Sequence, residues 1–125
     1  MKPWLAIAAI NGMISVAAGA FGAHGLEERL TPEMLANFET GARYHMYHAL
    51  AMLLTAAAAP HISAGTGRAA CVSFLVGIML FSGSLYVLSI TGVKQLGMIT
   101  PLGGVAFLIG WALLAWAALR AIPIK

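Results

Sequence analysis

Four long stretches of this chain carry no Asp, Glu, Lys or Arg: Pro3–Leu26, Tyr44–Gly67, Ala69–Val93 and Gln95–Leu119. Each is about 24 residues long, and a single helix needs roughly 20 to cross the hydrocarbon core of a bilayer. The pattern predicts an all-α membrane protein, an antiparallel four-transmembrane-helix bundle. Its spans fall at about residues 4–23, 42–59, 69–90 and 101–120. With 125 residues the chain forms a single integral membrane domain, 1–125, with no room for a separate soluble one. Charged residues make up 9 % of it, against about 25 % in soluble proteins.

The net charge is +3, but the basic residues are scattered singly between spans. No patch or stripe suits nucleic acid, and membrane lipids are the expected contacts. Four spans put both termini on one side, with Lys2, Arg68, Arg120 and Lys125. The other side carries Arg29, Arg43 and Lys94 and all four glutamates. Acids count little in the positive-inside rule, so a bias of four against three directs both termini to the cytoplasm. The start of the chain resembles a secretory signal, with Ala18-Gly19-Ala20 as a small-residue site. The apolar run is too long for that and holds Asn11 and Gly12, so it reads as an uncleaved first span. The single Cys71 excludes an intrachain disulfide and reads as a small packing residue.

In the first span Ala8, Gly12, Ser15, Gly19 and Gly22 share one helix face, which predicts close packing by a neighbour. Gly25 is placed to stop the helix. The polar segment Leu26–Gly41 holds Glu27, Glu28, Glu33 and Glu39. Thr31-Pro32-Glu33 is a helix start, with Thr as N-cap, Pro at the first helical position and an acid in the first turn. Met34, Leu35, Phe38 and Ala42 continue it as an apolar stripe. The reading is one helix from Pro32 to about Ala59 whose first turns form an amphipathic extension before the second span. A short interfacial helix that bends at Gly41 is the alternative. Pro60–Arg68 reads as a tight turn. Ser73 and Gly77, then Ser82-Gly83-Ser84, give the third span small patches, and Thr91-Gly92 ends it. Thr100-Pro101 is a second helix start, before a fourth span with a small face at Gly103, Ala106, Gly110 and Ala117.

Polar side chains inside a membrane are costly and face the bundle interior. Asn11, Ser82, Ser84 and Tyr86 belong to this class, and interhelical hydrogen bonding is their plainest role. A second group, His24, Glu39, Arg43, Tyr44 and His48, gathers where the first two spans meet. Glu39 and Arg43 are four apart in the order that favours an ion pair. His45 and His48 are three apart, about 60° around a helix, and His24 could add a third imidazole to a metal. Three such residues at a span boundary suit a hydrogen-bonded polar cap equally well, and that is the reading preferred. No metal, cofactor-binding or catalytic residue is assigned. Nothing matches a nucleophile–base triad, a phosphate-binding glycine loop or a zinc protease motif.

The strings Gly19-Ala-Phe-Gly-Ala-His-Gly-Leu26, Tyr44-His-Met-Tyr-His-Ala-Leu50, Phe81-Ser-Gly-Ser-Leu-Tyr86, Thr91-Gly92 and Gly97-Met-Ile-Thr-Pro-Leu-Gly-Gly104, ahead of Gly110-Trp111, occur together in this order. They resemble the YgdD/YwdK-like family of small bacterial inner-membrane proteins, a domain of unknown function with eukaryotic relatives. The resemblance covers nearly the whole chain. It implies four transmembrane helices in a bacterial inner membrane, and no activity, substrate or cofactor. It also implies glutamine at position 45, so a family-wide metal site would not depend on His45. The function expected is a small polytopic membrane protein, structural or accessory and not an enzyme, alone as a homo-oligomer or within a larger membrane complex. The alternatives are an oligomeric small-molecule or ion carrier, and a ligand-binding protein or enzyme using the His24–His48 cluster. A polar cavity joining that cluster to Asn11 and Ser82–Tyr86 would favour the alternatives.

Overall fold

The computed structural model describes residues 1–121, and every regular element in them is helical. Lys125, counted in the charge bias, lies outside the described residues. Four long helices follow one another: α1 (Lys2–His24), α2 (Pro32–Ala57), α3 (Ala64–Thr91) and α4 (Thr100–Leu119). Short 3-10 turns, Ala59–His61 and Lys94–Met98, precede α3 and α4. Three segments are long and apolar enough to cross a membrane: Lys2–His24, Ala64–Thr91 and Lys94–Leu119. The second helix is not among them, because its two imidazoles, Arg43 and two tyrosines dilute its apolar residues.

At the start of α2 the Thr31 side chain accepts a hydrogen bond from the Met34 amide at 3.2 Å, the cap expected from Thr-Pro-Glu. The helix then runs unbroken through Gly41. Its 26 residues span about 39 Å at about 1.5 Å each, more than a hydrocarbon core of about 30 Å. A break at Gly41 is therefore not needed to reconcile its polar start with its apolar end. The other Thr-Pro pair behaves differently. Thr100 is the first residue of α4 and makes no cap; its hydroxyl pairs with Ser84 Oγ at 2.6 Å. Gly92 ends α3 in the left-handed conformation, φ 74°, and its amide donates to Leu88 O. Gly25 ends α1 with a right-handed backbone instead.

Phe38, Ala42, His45, Ala49, Met52 and Ala56 are buried on α2 at spacings of three and four, with His48 and Thr55 beside them. This stripe makes α2 the most enclosed helix, with α1 packed on one side and α3 on the other. One core cluster draws on all four helices: Ala8 from α1, Ala51 and Met52 from α2, Ala70, Cys71, Phe74 and Ile78 from α3, and Phe107 from α4. At one end of the molecule the Met1 side chain lies beside Gly67. At the other Phe38 lies against Gly22, and Ser84 against Thr100.

Midway along α3 the α-helix is interrupted by one turn of π-helix, Ile78–Ser82. Before it, Ala64–Gly77 packs on α4 and also on α2. After it, Gly83–Thr91 packs on α2. The inserted residue shifts the register of α3 between a half that packs on both α2 and α4 and a half that packs chiefly on α2.

The small-residue faces need correction residue by residue. On α4, a Cβ at Gly110 would lie 2.6 Å from the Phe74 ring, and Phe74 is fully buried. On α3, a Cβ at Gly77 would overlap Phe107. On α1 only Ala8, Ser15 and Gly22 are buried, while Gly12 and Gly19 face open space. The shared face was real, but α2 covers only one edge of it. Gly110→Leu should therefore destabilise by about 2 kcal/mol through overpacking, whereas Gly12→Leu should stay within about 0.5 kcal/mol of the parent. Thermal unfolding of both variants in detergent checks the pair; equal losses would contradict the assignment.

Candidate functional site

The residues singled out beforehand do not form one cluster. His24, Glu39 and Arg43 are exposed. Arg43 Nη2 donates to Thr40 Oγ1 at 3.3 Å, where an ion pair with Glu39 was expected. Both positions sit on the solvent or headgroup side of α2, and Thr40, one residue nearer than Glu39, offers Arg43 a hydroxyl. Tyr44 is 38 % exposed and His48 is buried. The polar cap thus separates into an outer charged fringe and an inner aromatic part.

Two of the interior polar residues, Asn11 and Tyr86, meet at His45, which the spacing had paired with His48 as a metal ligand and the family resemblance had discounted. Its Nε2 lies 2.9 Å from Asn11 Oδ1 on α1, and its Nδ1 lies 3.0 Å from the Tyr86 hydroxyl on α3. Asn11 Nδ2 donates to Ile7 O at 2.9 Å, which fixes its amide so that Oδ1 faces the imidazole. His45 Nε2 must then carry the proton, and Nδ1 accepts from Tyr86. The ring is a neutral cross-brace between three helices. The signal for it was present in the chain, since position 45 falls on the same stripe as Phe38, Ala42, Ala49 and Met52.

His48, one turn on, holds the opposite tautomer. Trp111 Nε1 can only donate, and it does so to His48 Nε2 at 3.0 Å. The proton therefore sits on Nδ1, which donates to Tyr44 O at 2.7 Å. The ring stacks on Phe107 with centroids 3.5 Å apart and planes 7° apart. The two imidazoles do not converge, and all four of their nitrogens already have partners within the chain. That geometry leaves no shared lone pair for a metal. Ser82 adds another tie, donating to Gly41 O at 2.6 Å, and Ser84 bonds both Phe81 O and Thr100. These bonds brace α3 at the end of its π-turn, to α2 through Gly41 and to α4 through Thr100.

Above His48 lies a groove of about 380 Å³ between α2 and α4. Tyr44, Tyr47, His48, Phe81, Phe107 and Trp111 form most of its wall, and Gly104 and Leu108 complete it. Asn11, His45, Ser82 and Tyr86 take no part, so the groove and the interior brace are separate features. It opens sideways because α2 and α4 meet little directly; both lean on α3.

The comparisons with known proteins agree with this membrane character. Residues 18–104 match a family described as a protein of unknown function, DUF423. The chain is 48 % identical to the UPF0382 membrane protein YwdK of Bacillus subtilis, over 96 % of its own length and 98 % of that relative. A UPF0382 membrane protein of Staphylococcus epidermidis is 43 % identical over the same shares, and one of Haemophilus influenzae is 41 % identical over 94 % of each chain. No solved structure matches. With the family matched over most of the chain and its relatives matched nearly end to end, the protein belongs to the DUF423 family of membrane proteins, to which no molecular function is assigned.

Proposed function

We propose that the protein is a four-span antiparallel bundle of the bacterial inner membrane, with both termini cytoplasmic. It acts as a non-enzymatic structural or accessory component, alone as an oligomer or beside a larger complex. One observation carries this reading: among the described residues, every buried side-chain nitrogen and oxygen has a hydrogen-bond partner within the chain. A carrier needs polar groups free to exchange partners with its cargo. Here Asn11, His45, Tyr86, Ser82 and Ser84 are spent on one another or on backbone carbonyls. The cavity that is present has aromatic walls and does not reach them.

Counting α2 as the fourth span is supported by its enclosure, because α1 and α3 shield its imidazoles from lipid. The meeting of Met1 with Gly67 at one end, and of Gly22 with Phe38 at the other, supports antiparallel neighbours. Arg120, 5.2 Å above the Trp116 ring, is a suitable interfacial anchor at the end of α4.

Two measurements test these readings. Proteoliposomes carrying the protein should be no more permeable to protons or potassium than empty ones; a saturable flux abolished by His45→Leu would overturn the accessory role. For topology, a C-terminal reporter active only in the cytoplasm should be active, and one active only outside should be silent. The reverse result sinks the orientation.

A further inference from the structure

We propose that the groove between α2 and α4 binds a membrane-dissolved molecule with a flat, conjugated ring on an apolar tail, the chemistry of a lipid quinone. The volume, about 380 Å³, lies in the range of small-molecule sites, roughly 300–1,000 Å³. Because the groove opens sideways from a protein embedded in lipid, its occupant arrives from the bilayer.

The walls select a ring over a saturated chain. The rings of Tyr44, His48 and Phe107 lie within 25° of one another, a set of near-parallel faces. Phe81 tilts against both Tyr44 and Phe107, with centroids 4.8 and 5.3 Å away. Aromatic faces prefer offset stacking on another π-system, worth about 0.5–1.5 kcal/mol per pair beyond burial. A saturated tail gains nothing of that kind. The exposed wall is almost wholly apolar, so the ring is held by stacking and burial and not by hydrogen bonds to its carbonyls. The nitrogens of His48 are already occupied and its ring is stacked on Phe107, so the imidazole stiffens the wall and offers the groove no proton.

Two further features keep this space open. A Cβ at Gly104 would meet nothing within 4 Å, so that position borders the void without being needed for packing. Phe81 belongs to the π-turn, and such turns are frequent at functional sites.

The test uses Trp111, whose indole lines the groove. Trp4→Phe with Trp116→Phe leaves it as the single tryptophan of the chain. Decyl benzoquinone, a quencher of indole emission, is titrated into this protein held in phospholipid nanodiscs. Saturable quenching is expected, with half-saturation moved about tenfold, or ~1.4 kcal/mol, by Gly104→Leu. That variant fills the groove without touching the fold; unchanged thermal unfolding verifies it, and Leu108→Trp serves as a second blocking variant. Quenching that rises linearly without saturation overturns the proposal, as does saturation that neither variant alters. A phospholipid retained through purification, lost in Gly104→Leu and not displaced by the quinone, gives the groove to an acyl chain and also overturns it. An empty groove would leave the accessory reading intact, and a membrane leak would leave the groove assignment intact.

Discussion

Gly103→Leu is expected to remove folded protein from the membrane almost completely. A Cβ at position 103 would fall onto the Phe81 amide nitrogen and within 2.8 Å of the Leu80 carbonyl carbon. These are main-chain atoms, so no rotamer change relieves the overlap. They also belong to the π-turn, which Ser82 ties to Gly41 O on the opposite side. Moving α3 away from α4 would therefore strain its contact with α2. Overpacking typically costs about 1–3 kcal/mol, and alanine at 103 already belongs at the top of that range. Leucine should exceed it and consume much of a total stability of about 5–15 kcal/mol. The neighbouring Gly104→Ala is the control. Its Cβ points into open space, and it should gain up to about 1 kcal/mol from helix propensity. Membrane-fraction yield and thermal unfolding in detergent read both. A well-folded Gly103→Leu would show that α3 and α4 are not in backbone contact.

His45→Leu is the second large effect. It leaves Asn11 Oδ1 and the Tyr86 hydroxyl without their imidazole partner. In water an orphaned buried group costs about 1–3 kcal/mol. In a bilayer the unfolded helices find other partners, so each bond averages nearer ~0.6 kcal/mol, with maxima near ~1.7 kcal/mol. The loss should therefore total about 1–3 kcal/mol. His45→Gln keeps one donor and one acceptor and should lose less. In a double-mutant cycle, Asn11→Leu and His45→Leu should be less than additive, because the first removal already breaks the shared bond. Strict additivity would dissolve the cross-brace. His48→Leu should be distinguishable, since it loosens Trp111 and the groove wall but leaves Asn11 and Tyr86 joined.

Much of the helical layout was legible from charge spacing and helix starts. The continuous α2 followed from Thr31-Pro32-Glu33 and the stripe after it. Periodicity shows which residues share a face but not which neighbour covers that face. Hence Gly110 is in contact and Gly12 is not, although both sit in similar small-residue patterns. The same limit applied to Thr100, whose local sequence offers a cap but whose hydroxyl is drawn across to Ser84 by the α3–α4 approach. Asn11 and Tyr86 stood out as intramembrane polar residues, yet their common partner did not. His45 was judged by its distance along the chain from His48, when its register with Phe38 and Met52 placed it inside. The groove had no local signature at all. Its walls come from three helices, and only the tertiary gap between α2 and α4 creates it.

The π-turn of α3 has a consequence for insertions and deletions. With it, the segment before Ile78 is phased to both α2 and α4, and the segment after Ser82 is phased to α2. Removing one residue from Ile78–Phe81 would restore an uninterrupted α-helix, with hydrogen bonding regular throughout. It would also rotate every downstream side chain by about 100°. Tyr86 would leave His45, and Leu85 would leave Gly41. A locally better helix would thus be globally mispaired, in phase with its neighbours before the deletion and out of phase with α2 after it. In this chain a length change at that point works as a frameshift in three dimensions, readable only at the distant end of the helix.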